Sequence, residues 1–293
     1  MATLRELKGR IGSVASSEKI TGAMKMISSA KMHKAETALK QLRPFRNQVE
    51  AVIANLLSSD AVFTSPLMTP RPVERVAVVV WGSDDGLCGA YNVNIFKLLL
   101  QHLTQLRQEV GTGVRITLIP VGGKIAKAVA KLKLPGVDFE VPEGVDSKSG
   151  DAAVRDFTWQ LRDKFLNGTY DRVDMLYMSF KSVAKQLPEF QQLLPVTDEA
   201  FAGVGAGSEV KPYIFEPSPE RIFTAILPMY LLAVVQDVFT ENRASEQAAR
   251  VMAMQSANDN AKKLHDQLQL EFNKLRQQAI TTELLDILGG QVK

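Results

Sequence analysis

The chain reads as an α/β protein carrying a long antiparallel coiled coil: its N- and C-terminal helices pair, and an open Rossmann-like α/β domain is inserted between them. Two observations predict this. Residues 229–288 run without one Gly or Pro, although 19 Gly and 13 Pro are scattered through the 293 residues. At roughly 1.5 Å of rise per residue that gap predicts a rod about 90 Å long, well past the usual globular helix. The middle of the chain instead alternates short apolar runs with amphipathic segments, the pattern of strands and helices in an open sheet. A rod that long cannot fold onto a core of its own, so another helix or partner subunits must cover it. Its expected work is mechanical or architectural.

The elements follow in order. Residues 3–57 contain only Gly9, Gly12, Gly22 and Pro44 as breakers and repeat apolar residues at Leu4, Leu7, Ile11 and Val14. Those intervals of three and four make one stripe, expected to continue through Ile20, Ala23, Met24, Ile27 and Ala30 toward Leu39 and Leu42. Near the other end Ala244, Ala248, Val251, Met254, Ala257, Ala261, Leu264, Leu268, Phe272, Leu275 and Ala279 keep the same spacing. Two such stripes can pack as an antiparallel coiled coil, whose Ala- and Met-rich seam allows close approach with a less strictly specified pairing. Between them, strands are predicted at 75–81, 115–121 and 173–180, with 191–196 extending the sheet, and helices at 93–110, 124–132 and 151–166. Ser218 as N-cap and Pro219 at the first helical position mark the start of the second rod. The expected domains are 1–60 (first rod), 61–72 (Pro-containing linker), 73–205 (α/β domain) and 206–293 (second rod).

Composition narrows the class. The chain is 45% hydrophobic and 23% charged with a formal net charge of +3, and its single cysteine, Cys88, rules out an internal disulfide framework. The first residues lack the apolar core of a signal peptide. The longest uncharged apolar stretch, 222–236, holds Pro228 and falls short of the roughly 18 residues that span a bilayer, so no transmembrane span is expected. Residues 1–50 carry ten Lys or Arg against four Glu. With only Phe45 as an aromatic, base stacking has little support, and an acidic protein partner fits better than nucleic acid.

Catalytic signals are thin. The loop Gly82-Ser-Asp-Asp-Gly-Leu-Cys-Gly89 follows the first strand, but its glycines do not have the G-x-G-x-x-G spacing, and no P-loop occurs. Asp84 and Asp85 would repel a phosphate there, and as two carboxylates alone they are weak evidence for a cation. His33, His102 and His265 lie in separate segments without metal-ligand spacing. No catalytic, cofactor-binding or metal residue is expected.

Four separated motifs carry a resemblance: 20–32 (ITGAMKMISSAKM), 83–92 (SDDGLCGAYN), 245–254 (SEQAARVMAM) and 273–284 (NKLRQQAITTEL). In this order they closely resemble the gamma subunit of F-type ATP synthases over essentially the whole chain. The resemblance implies a non-catalytic rotor shaft that couples ion flow through the membrane ring to nucleotide chemistry on beta. Its partners would be three alpha and three beta subunits per copy, the epsilon subunit and the membrane c-ring. It places Met24 and Lys25 near an acidic lever loop of beta, and Arg250, Gln277, Thr281 and Glu283 against the alpha/beta ring. It also turns Tyr213, Phe215 and Glu216 toward epsilon or the membrane ring. Two departures stand out: Asp85 occupies a position the family often fills with Arg, and the regulatory cysteine pair of chloroplast members is missing. The expected location is the cytoplasmic side of a bacterial inner membrane, bound peripherally. A coiled-coil scaffold of another kind and a nucleotide-dependent enzyme are the alternatives; the first leaves the ordered motifs unexplained, and the second lacks a phosphate loop.

Overall fold

The computed structural model describes residues 3–58, 64–111, 113–201 and 215–290, with the side chains of 289 and 290 left aside. Helix α1 spans Leu4–Leu57 and α5 spans Pro219–Gly290. Between them lie β1 (Arg75–Trp81), α2 (Tyr91–Val110), β2 (Arg115–Val121), α3 (Gly123–Val129), β3 (Val137–Phe139), α4 (Asp151–Leu166), β4 (Arg172–Ser182) and β5 (Lys185–Leu194). A 3₁₀ turn follows at Asp198–Phe201.

Local chemistry fixes where the rods begin. Thr3 and Glu6 form a reciprocal capping box at the start of α1, which satisfies two otherwise orphaned N–H groups. At α5 the Ser218 hydroxyl accepts from the N–H of Arg221 at 3.4 Å. The helices run antiparallel: Asn258 meets Glu18 and Thr21, Arg43 meets Glu241 and Arg46 meets Asp237.

The seam differs from the expected stripe in its middle. Residues 4, 7, 11, 14, 18, 21, 25, 28, 32, 35, 39, 42, 46, 49, 53 and 56 are each at least half-buried, a 3-4 alternation along all of α1. It passes through Glu18, Thr21, Lys25, Ser28 and Arg46, whereas Ile20 and Ile27 point outward at 60% and 57% exposure. The rotation is set by a polar clamp: the Asn258 amide donates to the carbonyl of Glu18 at 2.7 Å and to the Thr21 hydroxyl at 3.3 Å. Gly22 lies beneath it, with room for no more than a Cβ. On α5 the buried positions include Val251, Met254 and Leu268, while Leu264 is 41% exposed.

The sheet has the order β3-β2-β1-β4-β5; β1 to β4 are parallel, and β5 closes one edge antiparallel. Helices α2 and α3 cover one face, with Ile95, Leu99, Leu103 and Ile125 on Val76, Val78 and Val80. The other face packs against α4, the end of α1 and the base of α5 in one core that holds Ile53, Leu56, Trp81, Phe157, Leu227 and Val235. The shaft and the sheet therefore share a hydrophobic core at the base. An 18-residue apolar window of α5 reaches a mean hydropathy of 1.9, but 56% of it is buried inside the molecule. That stretch is a core helix of this domain.

At the junction Arg46 bridges Glu50 at 2.7 Å and Asp237 at 2.6 Å, and Arg43 reaches Glu241. Burial pushes the Glu241 carboxyl above its ordinary range, with Asp237 adding repulsion and Arg43 pulling the other way. Because the folded value is raised, the folded state binds this proton more tightly than the unfolded chain does. The resulting stability is full below the unfolded pKa and is lost as pH rises through the folded one. Glu241→Gln should therefore raise the urea midpoint relative to wild type at pH 8 and leave it unchanged at pH 4. A Gln variant less stable at pH 8 would show that the Arg43 pair outweighs the burial cost.

Candidate functional site

The loop after β1 is where an α/β sheet of this kind offers its ligand site, because β1 and β4 flank the point where the strand order reverses. Here the chain fills that crevice itself. Asn242 of α5 is 1% exposed and sits between the ends of both strands. Its amide donates to the Gly82 carbonyl at 3.2 Å and accepts from the Tyr91 hydroxyl at 2.6 Å and the Met178 N–H at 3.3 Å.

The neighbouring anion seat is also taken. The Asp84 carboxylate accepts from the N–H of Gly123, the first residue of α3, at 2.6 Å, and from the N–H and hydroxyl of Ser147 at 2.9 and 2.6 Å. Asp85 turns away to Lys148 at 2.8 Å, whose amine holds its carboxyl below the usual range. The two acids thus serve different partners and do not converge on a cation. Cys88 is buried and its thiol pushed up by that burial, which leaves it a small packing residue beside Ser83 and Asn92. Leu87 holds a left-handed φ of 64° and stands 60% exposed at the loop's tip.

The residues expected to meet partners fall on three surfaces. Met24 and Lys25 are half-buried at the edge of the helix pair, and Lys25 makes no ion pair among the described residues. Beside them Ile20, Met26 and Ile27 are 60%, 69% and 57% exposed, an apolar stripe flanked by lysines. The signal that would have exposed it in advance is the unbroken 3-4 alternation through polar positions. Gln277, Thr281 and Glu283 lie on the end of α5 that outruns α1. There every residue from 276 to 288 is exposed, including Ile280, Leu284, Leu285, Ile287 and Leu288. Thr281 spends its hydroxyl on the Gln277 carbonyl at 2.9 Å.

Arg250 belongs to neither surface. It is 7% exposed, pairs with Glu246 at 2.7 Å and donates to the Gly86 carbonyl, so its guanidinium is spent tying the β1–α2 loop to α5. At the base, Phe215 packs partly buried against the shared core, Glu216 is exposed, and Tyr213 lies outside the described residues.

Comparison with known proteins matches this arrangement along its length. The ATP synthase family model covers residues 3–292. The ATP synthase gamma chain of Bacteroides fragilis is 40% identical over all of both chains, and that of Cupriavidus pinatubonensis is 36% identical over 99% of each. Among solved structures, a chain of the Euglena gracilis mitochondrial ATP synthase, determined with OSCP, F1 and c-ring, superposes with a TM-score of 0.66 at 22% identity, covering 98% of this chain and 93% of that one. A chain from the central stalk and c-ring of the Tetrahymena thermophila enzyme gives 0.54 at 22% identity, over 81% and 99%.

Proposed function

The chain belongs to the ATP synthase gamma-chain family, as a non-catalytic subunit, and from that premise we propose how its geometry turns subunit contacts into coupling. The supporting observation is a helix pair fused to the α/β domain by one core at its base and bare and apolar at its tip. In this reading the tip of α5 turns inside a ring of three alpha and three beta subunits, with Gln277, Thr281 and Glu283 at the sleeve. Met24, Lys25 and the stripe of Ile20 and Ile27 meet an acidic segment of beta. The base rests on epsilon and the membrane c-ring through the region of Phe215 and Glu216, and Tyr213 is assigned there by resemblance alone. Arg250 acts through the loop it holds. The assembly sits peripherally on the cytoplasmic side of a bacterial inner membrane.

The mechanism is differential contact. A shaft with a domain on one side presents different faces to three otherwise equivalent beta subunits, so each orientation favours a different nucleotide state. A shaft that touched all three equally would shift nothing.

The test begins with a tagged chain purified from its membranes, expected with alpha and beta at three copies each and with ATPase activity. Met24→Cys is then disulfide-linked to a cysteine placed in the acidic lever segment of beta; Cys88 is buried and contributes little background. Turnover should stop on oxidation and return on reduction. Full coupled activity in the linked complex would sink the reading.

A further inference from the structure

We propose that Asn242 is a positioning residue for energy coupling: it keys the α/β domain to the shaft, so that torque on the domain reaches α5 without slip. The inference deepens the rotor reading and rests on it. Hydrophobic contact between the sheet and the base of α5 is non-directional, and it resists separation better than it resists shear. A key has to come from groups with direction. Asn242 supplies them with one side chain, binding the residue just after β1 through the Gly82 carbonyl, α2 through the Tyr91 hydroxyl and β4 through the Met178 N–H.

The Tyr91 hydroxyl shares that one proton with the backbone carbonyl of Asn242 at 3.0 Å, so the link does not end on a rotatable amide alone. Both residues are almost fully buried, at 1% and 3% exposure, where water does not compete for these bonds. Burial also pushes the Tyr91 phenol well up, keeping it a donor. The contact lies at the carboxyl ends of the strands, on the side from which the helix pair leaves the domain. The shared core closes the opposite, lower part of the joint around Phe223 and Leu227. The Asn242 bonds, with those of Arg250 to the Gly86 carbonyl about two turns further along α5, add direction to a greasy joint that would by itself act as a swivel.

The test uses the whole complex in inverted membrane vesicles, reading ATP hydrolysis and ATP-driven proton uptake in the same sample. Asn242→Leu fills a similar volume without the three bonds; Tyr91→Phe removes only the hydroxyl. For Asn242→Leu, uptake per ATP hydrolysed should fall about fivefold, while hydrolysis stays within about twofold of wild type. Tyr91→Phe should fall less. An unchanged ratio in both variants, with the chain retained at one copy per complex, overturns the proposal. If Asn242→Leu does not assemble, the ratio for Tyr91→Phe decides alone. Wild-type vesicles in which the chain is absent from the ATPase would instead overturn the rotor reading itself.

Discussion

Gly122→Ala is expected to destabilise the chain by about 3 kcal/mol or more. Gly122 holds φ at +121°, and a Cβ there would lie 2.9 Å from both the carbonyl carbon and oxygen of Ser83 and 3.1 Å from the Gly82 carbon. Backbone strain and a clash with backbone therefore add, and no side-chain rotation relieves either. Whatever gives way must be the β1–α2 loop, which would pull Asp84 off the N-terminus of α3. Equilibrium urea unfolding of the purified variant measures the loss. A change under about 1 kcal/mol would mean that the loop can re-form around a left-handed alanine.

Arg46→Ala is expected to cost about 3 kcal/mol, for a different reason. Among the described residues the guanidinium is the one cation paired with both Glu50 and Asp237, whose side chains are only 12% and 8% exposed. Removing it strands two carboxylates in the joint between α1, α5 and the sheet. Asp237 already has one oxygen without a partner. The triple variant Arg46→Met, Glu50→Gln and Asp237→Asn takes out charge on both sides and should recover most of the loss, because a buried ion pair is costly mainly when half of it is removed. Urea midpoints of the single and triple variants decide. A triple variant as unstable as Arg46→Ala would show that the arginine's packing, and not its charge, holds the joint.

The rods were legible in the sequence because two independent signals agree there: an absence of breakers and a three-and-four repeat. Following apolar residues alone misplaced the middle of α1, where the repeat runs on through Thr21, Lys25 and Ser28 while Ile20 and Ile27 face outward. Two strands left weak traces. β3 is three residues long, and β5 begins six residues before the expected 191 because its first part, Lys185 to Glu189, is a mostly exposed edge that holds a proline and no continuous apolar run. Asn242 left no trace, since its partners come from just after β1, from α2 and from β4, and only the folded chain brings them together. Arg250 drew attention as a charged residue in a family motif, and its burial beside Glu246 and Gly86 could not be read from spacing.

The pairing of α1 with α5 also sets a clock. Arg46 and Asp237 are 191 positions apart, and at roughly 5 to 20 residues per second a ribosome takes roughly 10 to 40 s to deliver the second after the first. Through that interval most of α1 has been made but has no partner helix, and its seam of Leu7, Met32 and Leu39 is wet. The sheet can be completed in the meantime, because its strands all lie between the two rods. The newborn protein therefore closes from its middle outward, and its two ends meet last.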